Sequence, residues 1–294
     1  MPTIDRLIPD IYSLLQDKKN PLPGALGEAL INNKDIFERF GKELGEVLFK
    51  SVSEEKAPSL RMSNIGRPLR QLYYEINQTV QPEPISGQSL FKFAYGHVLE
   101  ALVLQLAETA GHTVERQQEE IEVDGVKGHI DAVIDGVLID VKSASPYSYA
   151  KFKDGSLFTN DPFGYIGQLS GYANSLGLEA GYIAVNKVSG EMHFLKLPGE
   201  MIRAYDVRTR VKTVREAIAG SHEPERCYED EPDGKSGNRK LGVSCSFCAF
   251  KSHCWRDANG GQGLRVYDYS NGTRYLTNVA REPRVNQEQF DIKE

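Results

Sequence analysis

"GHIDAVIDGVLIDVKSAS", from Gly128 to Ser145, is the stretch on which the reading of this chain turns. Asp131 and Asp140 stand in a run of Val, Ile, Leu and Ala, and Lys142 follows. Asp135-Gly136 between two apolar runs is the signal of a two-residue hairpin turn. A hairpin closed there pairs Ile134 with Val137, Val133 with Leu138, Ala132 with Ile139, and Asp131 with Asp140. Directly opposed residues place their Cβ atoms roughly 4.5–5.5 Å apart. Strand alternation puts Lys142 on the face of Asp140. Ile130, Ala132, Ile134, Val137, Ile139 and Val141 form the opposite, apolar face. Two carboxylates so close repel, and the pair weakens a sheet unless something compensates. A divalent cation would do so, and hard oxygen ligands suit Mg2+ or Mn2+. A nearby ammonium helps bind an anionic substrate or polarise water. The bland alternative is a solvated strand face carrying ordinary charges.

The rest of the chain frames that hairpin. Its 294 residues are 40% hydrophobic, enough for one large domain or a core with an appendage. The net charge of -6 does not advertise nucleic-acid binding, although a local basic surface is compatible with it. No uninterrupted apolar run is long enough for a membrane span, so no membrane partner is expected. The start of the chain has no secretory pattern, and an intracellular, cytoplasmic protein is expected. Residues 1–85 read as helices joined by polar loops, one over Leu26–Phe40, with "VQPEPISGQ" (Val80–Gln88) as a linker. Residues 89–110 read as a helix stopped by Gly111. Strand-like runs follow, then a helix in "PFGYIGQLSGYANSLG", a strand region, and a helix over 197–219. Asn271-Gly272 marks a last hairpin. This order fits a mixed α/β layer.

The flanking helices add candidates. His97 and Glu100 share a face at i, i+3 spacing, with Glu100 in the apolar setting "VLEALVLQL". Tyr165, Gln168 and Tyr172 share a face of the later helix. For both groups, amphipathic packing is the plain alternative.

"GHVLE", "GHIDAVIDGVLIDVKS" and "QLSGY" together resemble the PD-(D/E)XK nuclease superfamily in its RecB-like exonuclease branch. The likeness covers Gly96 to Tyr172: a helix glutamate, an aspartate, a (D/E)-x-K triplet, then Q-x-x-x-Y. It implies a restriction-endonuclease-like α/β core with a central mixed β-sheet flanked by helices. That core would span 86–222, after an N-terminal helical region (1–85) and before a Cys-rich cap with the terminal hairpin (223–294). It implies a metal-dependent phosphodiester hydrolase acting on DNA. Glu100, Asp131 and Asp140 would bind the metal with the carbonyl of Val141, Lys142 would orient or activate water, and Gln168 and Tyr172 would fix the DNA and support the lysine. "RMSNIGRPLRQLYYEI" is similar to the family's leading segment. Its Arg61, Arg67 and Arg70 would contact phosphate, and Tyr73 and Tyr74 would stack on bases. A basic solvated helix face is the alternative there.

All four cysteines, Cys227, Cys245, Cys248 and Cys254, lie in one short region, which points to one local site rather than scattered disulfides. Four soft ligands suit Zn2+ or an iron–sulfur cluster. "CSFCAFKSHCW" resembles the C-terminal cluster of RecB-like nucleases that carry [4Fe–4S]. In many relatives the first cysteine lies far upstream, and here Cys227 takes its place. That departure keeps structural zinc, with His253 as a substitute ligand, as the alternative. The expected function is an exonuclease acting on DNA with a free end, in recombination, repair or viral DNA processing, within a bacterium or a virus-infected cell. The rivals are a structure-specific endonuclease and a catalytically silent DNA-binding module.

Overall fold

Gly136 sits at φ 82° and Asp135 at φ 49°, both left-handed, as a two-residue turn with the twist of a β-hairpin requires. In a computed structural model of the chain, which describes residues 2–16, isolated positions between 38 and 49, 58–270 and 272–285, this turn joins β4 (Ala132–Ile134) to β5 (Val137–Ala144). The register is the expected one: Ile134 opposite Val137, Val133 opposite Leu138, Ala132 opposite Ile139. The Asp135 carboxylate also accepts from the Thr113 N–H at 3.0 Å and meets the fully buried His112 ring at 2.6 Å, which anchors the turn.

The described chain forms two compact units, Met1–Gly66 with Ser86–Val211, and Arg67–Ile85 with Lys212–Glu294. The segment read as the end of the N-terminal helical region therefore belongs with the cysteine-rich part. The helix expected over 26–40 falls almost wholly outside the described residues.

The first unit is a mixed α/β layer. Its five-stranded sheet runs β1 (Val114–Glu115), β4, β5, β6 (Ala180–Asn186), β7 (Met192–Lys196). The β5–β6 pair is parallel and the others antiparallel. A separate hairpin, β2 (Glu120–Val123) with β3 (Val126–His129), turns at a second Asp-Gly, Asp124-Gly125. Both faces of the sheet are buried, as a sheet carrying parallel strands requires. On one face Val133, Leu138, Ala144, Tyr182 and Ala184 pack in a core with Tyr149 and Phe152 of α3 (Pro146–Lys153) and Leu169, Tyr172 and Ala173 of α4 (Tyr165–Leu176). On the other, Ala132, Ile134, Val137, Ile139, Val141, Ile183 and Val185 pack with Leu7 and Ile11 of α1 (Leu7–Gln16) and Val103, Leu104, Leu106 and Ala107 of α2 (Gly87–Thr109).

Ile130 departs from expectation. It packs in the first core, not with Ala132 and Ile134, because the chain has left the ladder there and its N–H pairs with Glu119 instead. The stretch 197–219 is two helices, Gly199–Ala204 and Val207–Ala219. Helix α2 is long and apolar enough on average to cross a bilayer, although no single run is uninterrupted. In this fold its C-terminal half is a core helix covering the sheet. Its start is set by Ser86, whose side chain accepts from the Ser89 N–H, an N-cap that satisfies an orphan donor.

The second unit carries a four-stranded sheet, β10 (Arg265–Tyr269), β11 (Gly272–Asn278), β9 (Arg239–Lys240) and β8 (Glu231–Pro232). Tyr269 pairs with Gly272, so Gly272 lies in the strand rather than in the turn that the Asn-Gly signal suggests. Of the stretch read as a linker, 80–85 is held in this unit while 86–88 opens α2 in the first: the Glu83 carboxylate pairs with Lys251, and the Glu83 N–H donates to the Ala249 carbonyl at 2.8 Å.

Gly136→Val is expected to destabilise the protein by roughly 1–2 kcal/mol, the cost of forcing a side chain into left-handed backbone. That is a fall in Tm of about 2–8 °C for a domain of this size, measurable by thermal unfolding followed by circular dichroism.

Candidate active site and cysteine site

Asp131 and Asp140 meet where the hairpin opens. The β4–β5 ladder stops at Ala132 and Ile139, while β5 continues to Ala144 along β6. Beyond that fork, Asp131 Oδ2 accepts the Val141 N–H at 2.8 Å, closing the end of the hairpin with a side chain instead of a backbone pair. Asp140 is 6% exposed, and its Oδ2 lies 2.5 Å from Lys142 Nζ. The face of Asp140, expected as the polar side, is that of Leu138 and Ala144 and belongs to the first core, so this acid sits at the rim of a buried layer. Val141 turns its side chain into the other core.

Glu100 comes from α2, on the opposite face of the sheet, and reaches the same charges at the fork. Its Oε1 accepts from Gln118 Nε2 at 2.6 Å, and its Oε2 lies 4.0 Å from His97 Nδ1. Burial, then repulsion from Asp140, raises the Glu100 carboxyl to about 7, with Lys142 opposing. Burial, then Asp140 and Glu100, raises Asp131 well above the usual carboxylate range. Burial opposes the charge on Lys142, but Asp140 and Asp131 outweigh it and raise its pKa. The lysine is therefore an ammonium, suited to hold an anion or orient water rather than to accept a proton.

Tyr172 belongs to this cluster: burial, then Asp140 and Asp131, raises its pKa. Its hydroxyl is buried without a hydrogen-bond partner and lies so close to Gly128 that a Cβ there would collide with it. Gln168 lies one turn earlier on α4, half-buried. Two contributors escaped the sequence reading. Gln118 holds Glu100 from a loop with no motif, where only its left-handed φ of 54° is distinctive. Tyr165, noted in sequence only for sharing a face with Gln168 and Tyr172, puts its ring centroid 4.8 Å from Lys142 Nζ.

Hard carboxylate oxygens in mutual repulsion, with Asp140 Oδ2 lacking any hydrogen-bond partner beyond its ion pair with Lys142, fit a divalent cation by donor chemistry. As the side chains stand, no three His, Cys, Asp or Glu residues among those described are drawn together tightly enough to hold an ion. Glu100 is engaged by Gln118 and Asp131 by Val141.

The four cysteines line one cavity of about 30 Å³ in the second unit, with Arg70, Gln71, Tyr74, Phe250 and Trp255 around it. Backbone N–H groups of Gln71 and Arg70 point at the Cys227 sulfur and that of Phe250 at Cys248. Burial, then the neighbouring thiols, raises Cys245 to about 12; burial also raises Cys248 to about 11. N–H groups beside sulfur in a partly buried pocket suit metal-bound thiolates.

This packing changes the reading of the leading segment. Tyr73 and Tyr74 are 8% and 1% exposed, so neither ring is open to a base. Tyr74 packs edge-on against His253 at 5.3 Å and beside Phe250 at 5.5 Å. Arg70 is 12% exposed and committed to Glu223 at 2.6 Å, the Pro224 carbonyl at 2.9 Å and the Tyr74 hydroxyl at 2.9 Å. Arg67 pairs with Glu75 at 2.9 Å. Arg61 is half-buried in the first unit. Arg70 and Tyr74 line the cysteine pocket rather than a surface for DNA, because their charged and apolar partners lie in 223–254, and Arg67 is held by Glu75. His253 pairs with Glu223 at 3.1 Å instead of facing the cysteines as a ligand.

No protein-family model matches the chain, and no curated protein matches it in sequence. Solved structures with some likeness to it include a phage-related exonuclease from Haemophilus somnus 129PT, at 15% identity over 55% of this chain and 93% of that one, TM-score 0.39. An alkaline exonuclease from Laribacter hongkongensis follows at 14% identity over 59% and 92%, TM-score 0.38. The structure of SSO0001 is similar at 16% identity over 72% and 91%, TM-score 0.37. At these values the likeness carries no argument about what the chain does.

Glu100→Gln tests the repulsion. An acid whose folded pKa lies above its unfolded value loses stability as pH rises, because the unfolded chain gives up its proton first, between about 4.3 and the folded value. With metal chelated, Glu100→Gln is therefore expected to raise Tm by a few degrees at about pH 8 and to leave it unchanged near about pH 4. Differential scanning calorimetry at the two pH values reads the difference.

Proposed function

We propose that the chain is a divalent-metal-dependent nuclease that hydrolyses phosphodiester bonds of DNA, acting as an exonuclease at strand ends. The observation that carries this reading is the convergence of Glu100, Asp131, Asp140 and Lys142 at the fork of the hairpin, from two helix–sheet layers that share no local sequence. Like charges gathered against desolvation indicate a functional site more than a structural one. Glu100, Asp131 and Asp140 would hold Mg2+ or Mn2+, which supplies charge for a developing phosphorane and a more acidic water. Lys142 stands ready to donate hydrogen bonds to a phosphate oxygen or the attacking water, its ammonium fixed by Asp140 and the Tyr165 ring. Tyr172 closes the floor behind the two aspartates. This role would sit in recombination, repair or viral DNA processing inside a cell.

The cysteine pocket we assign to a structural [4Fe–4S] cluster, with zinc as the alternative. Four thiols around one cavity, two of them receiving backbone N–H groups, support ligation of either group. Its work would be to tie the segment 67–85 to 212–294.

Linear end-labelled DNA is expected to release nucleotides only with Mg2+ or Mn2+ present. Lys142→Ala and Asp131→Asn should each slow release by about 10²-fold or more, the scale of removing one preorganised electrostatic group. Both variants cutting at the parent rate would reject the site. A covalently closed circle should stay intact; nicking of it would replace the exonuclease by an endonuclease. Anaerobically purified protein is expected to be brown with visible absorbance, and a colourless protein with stoichiometric zinc would decide for zinc.

A further inference from the structure

Phe163 is nearly half exposed, at 48%. It is the outer end of a stack. Phe152, 2% exposed, lies 6.4 Å from Tyr165 with the rings 29° apart, and Tyr165 lies 5.4 Å from Phe163 at 30°. The middle ring of this stack is the one beneath the Lys142 ammonium, 4.8 Å away. These two separations keep Phe163 within about 10 Å of the lysine. An unpaired strand extends further per nucleotide than the ~3.4 Å rise of a stacked duplex, so that span corresponds to at most three nucleotides.

The backbone that carries the two outer rings is closely packed. Gly164, between the two outer rings, has φ 75° and lies so close to the backbone of Gly66 that a Cβ on either glycine would overlap the other. Asp161 closes the same loop, accepting the Ile166 N–H at 2.8 Å. A ring carried on backbone fixed in this way needs little loop ordering to receive a flat ligand.

We infer that Phe163 is a stacking platform for an unpaired DNA base one to three nucleotides from the scissile phosphate, which makes single-stranded or frayed ends the substrate class. The inference rests on the nuclease reading above and adds the form of DNA that the site accepts. A base inside a duplex has both faces covered by its neighbours, and only an unpaired base presents a free face to the ring. Aromatic stacking of this kind tolerates any base, since each has a π-face.

Single-stranded oligonucleotides carrying 2-aminopurine at successive positions from one end, bound with metal withheld, read the contact directly. Emission should be quenched at one position in the parent protein. Phe163→Ala should abolish the quench and weaken binding roughly 5- to 140-fold, the range for loss of one stacked base. Phe163→Trp should restore both. An abasic nucleotide at that position should weaken the parent by the same factor and leave Phe163→Ala unchanged. If the parent cleaves DNA with Mg2+ while Phe163→Ala quenches and binds like the parent at every position, the platform is wrong and the nuclease stands. If the parent neither binds nor cleaves DNA, the nuclease reading fails, and the platform with it.

Discussion

Three carboxylates and one ammonium at the mouth of a hairpin are the constraint to which the first unit is fitted. A sheet with two buried faces would ordinarily exclude them, since an unpaired buried charge costs several kcal/mol or more. The fold meets this by ending β4 early. The fork leaves the Val141 N–H for Asp131, leaves Asp140 beside Lys142, and lets Glu100 reach in from a helix on the far layer. Lys142 offsets only part of the negative charge. The remainder is a standing repulsion, of the kind that a cation held between carboxylates relieves.

Much of this was legible from residues alone, because a two-residue turn fixes register. Asp135-Gly136 determined every pair from Ile134–Val137 to Ala132–Ile139 and so set the two aspartates at the same end. Asp124-Gly125 carries the same signal and makes the same kind of turn between β2 and β3. Alternation misled at the sheet faces. It separates two sides of a strand but does not say that both are covered, so the acid-bearing side, read as the polar one, proved to be a second core. It also failed for Ile130, where the strand had already ended.

The leading segment shows a different limit. Arginines and tyrosines in one helix suit DNA as well as they suit a protein interior, and composition cannot choose between a surface and a pocket. What decides is Glu223, some 150 positions away, which gathers Arg70, Tyr74 and His253 around one carboxylate. Long-range partners of this kind leave no local periodicity. The same holds for Gln118 beneath Glu100 and for the contact of Gly66 with Gly164.

The division into units has a consequence for how the chain can be handled. Each unit is assembled from two separate lengths of sequence, and the backbone passes from one to the other three times, at 66–67, 85–86 and 211–212. Neither can be excised as a continuous fragment. Ending the chain at Val211 would strip Tyr73 and Tyr74 of Phe250, Cys248 and Cys254, and beginning it at Ser86 would remove Leu7 and Ile11 from behind the sheet. Each unit therefore needs both of its lengths of sequence, and proteolytic trimming or domain borrowing would have to respect a division that is not linear in the gene.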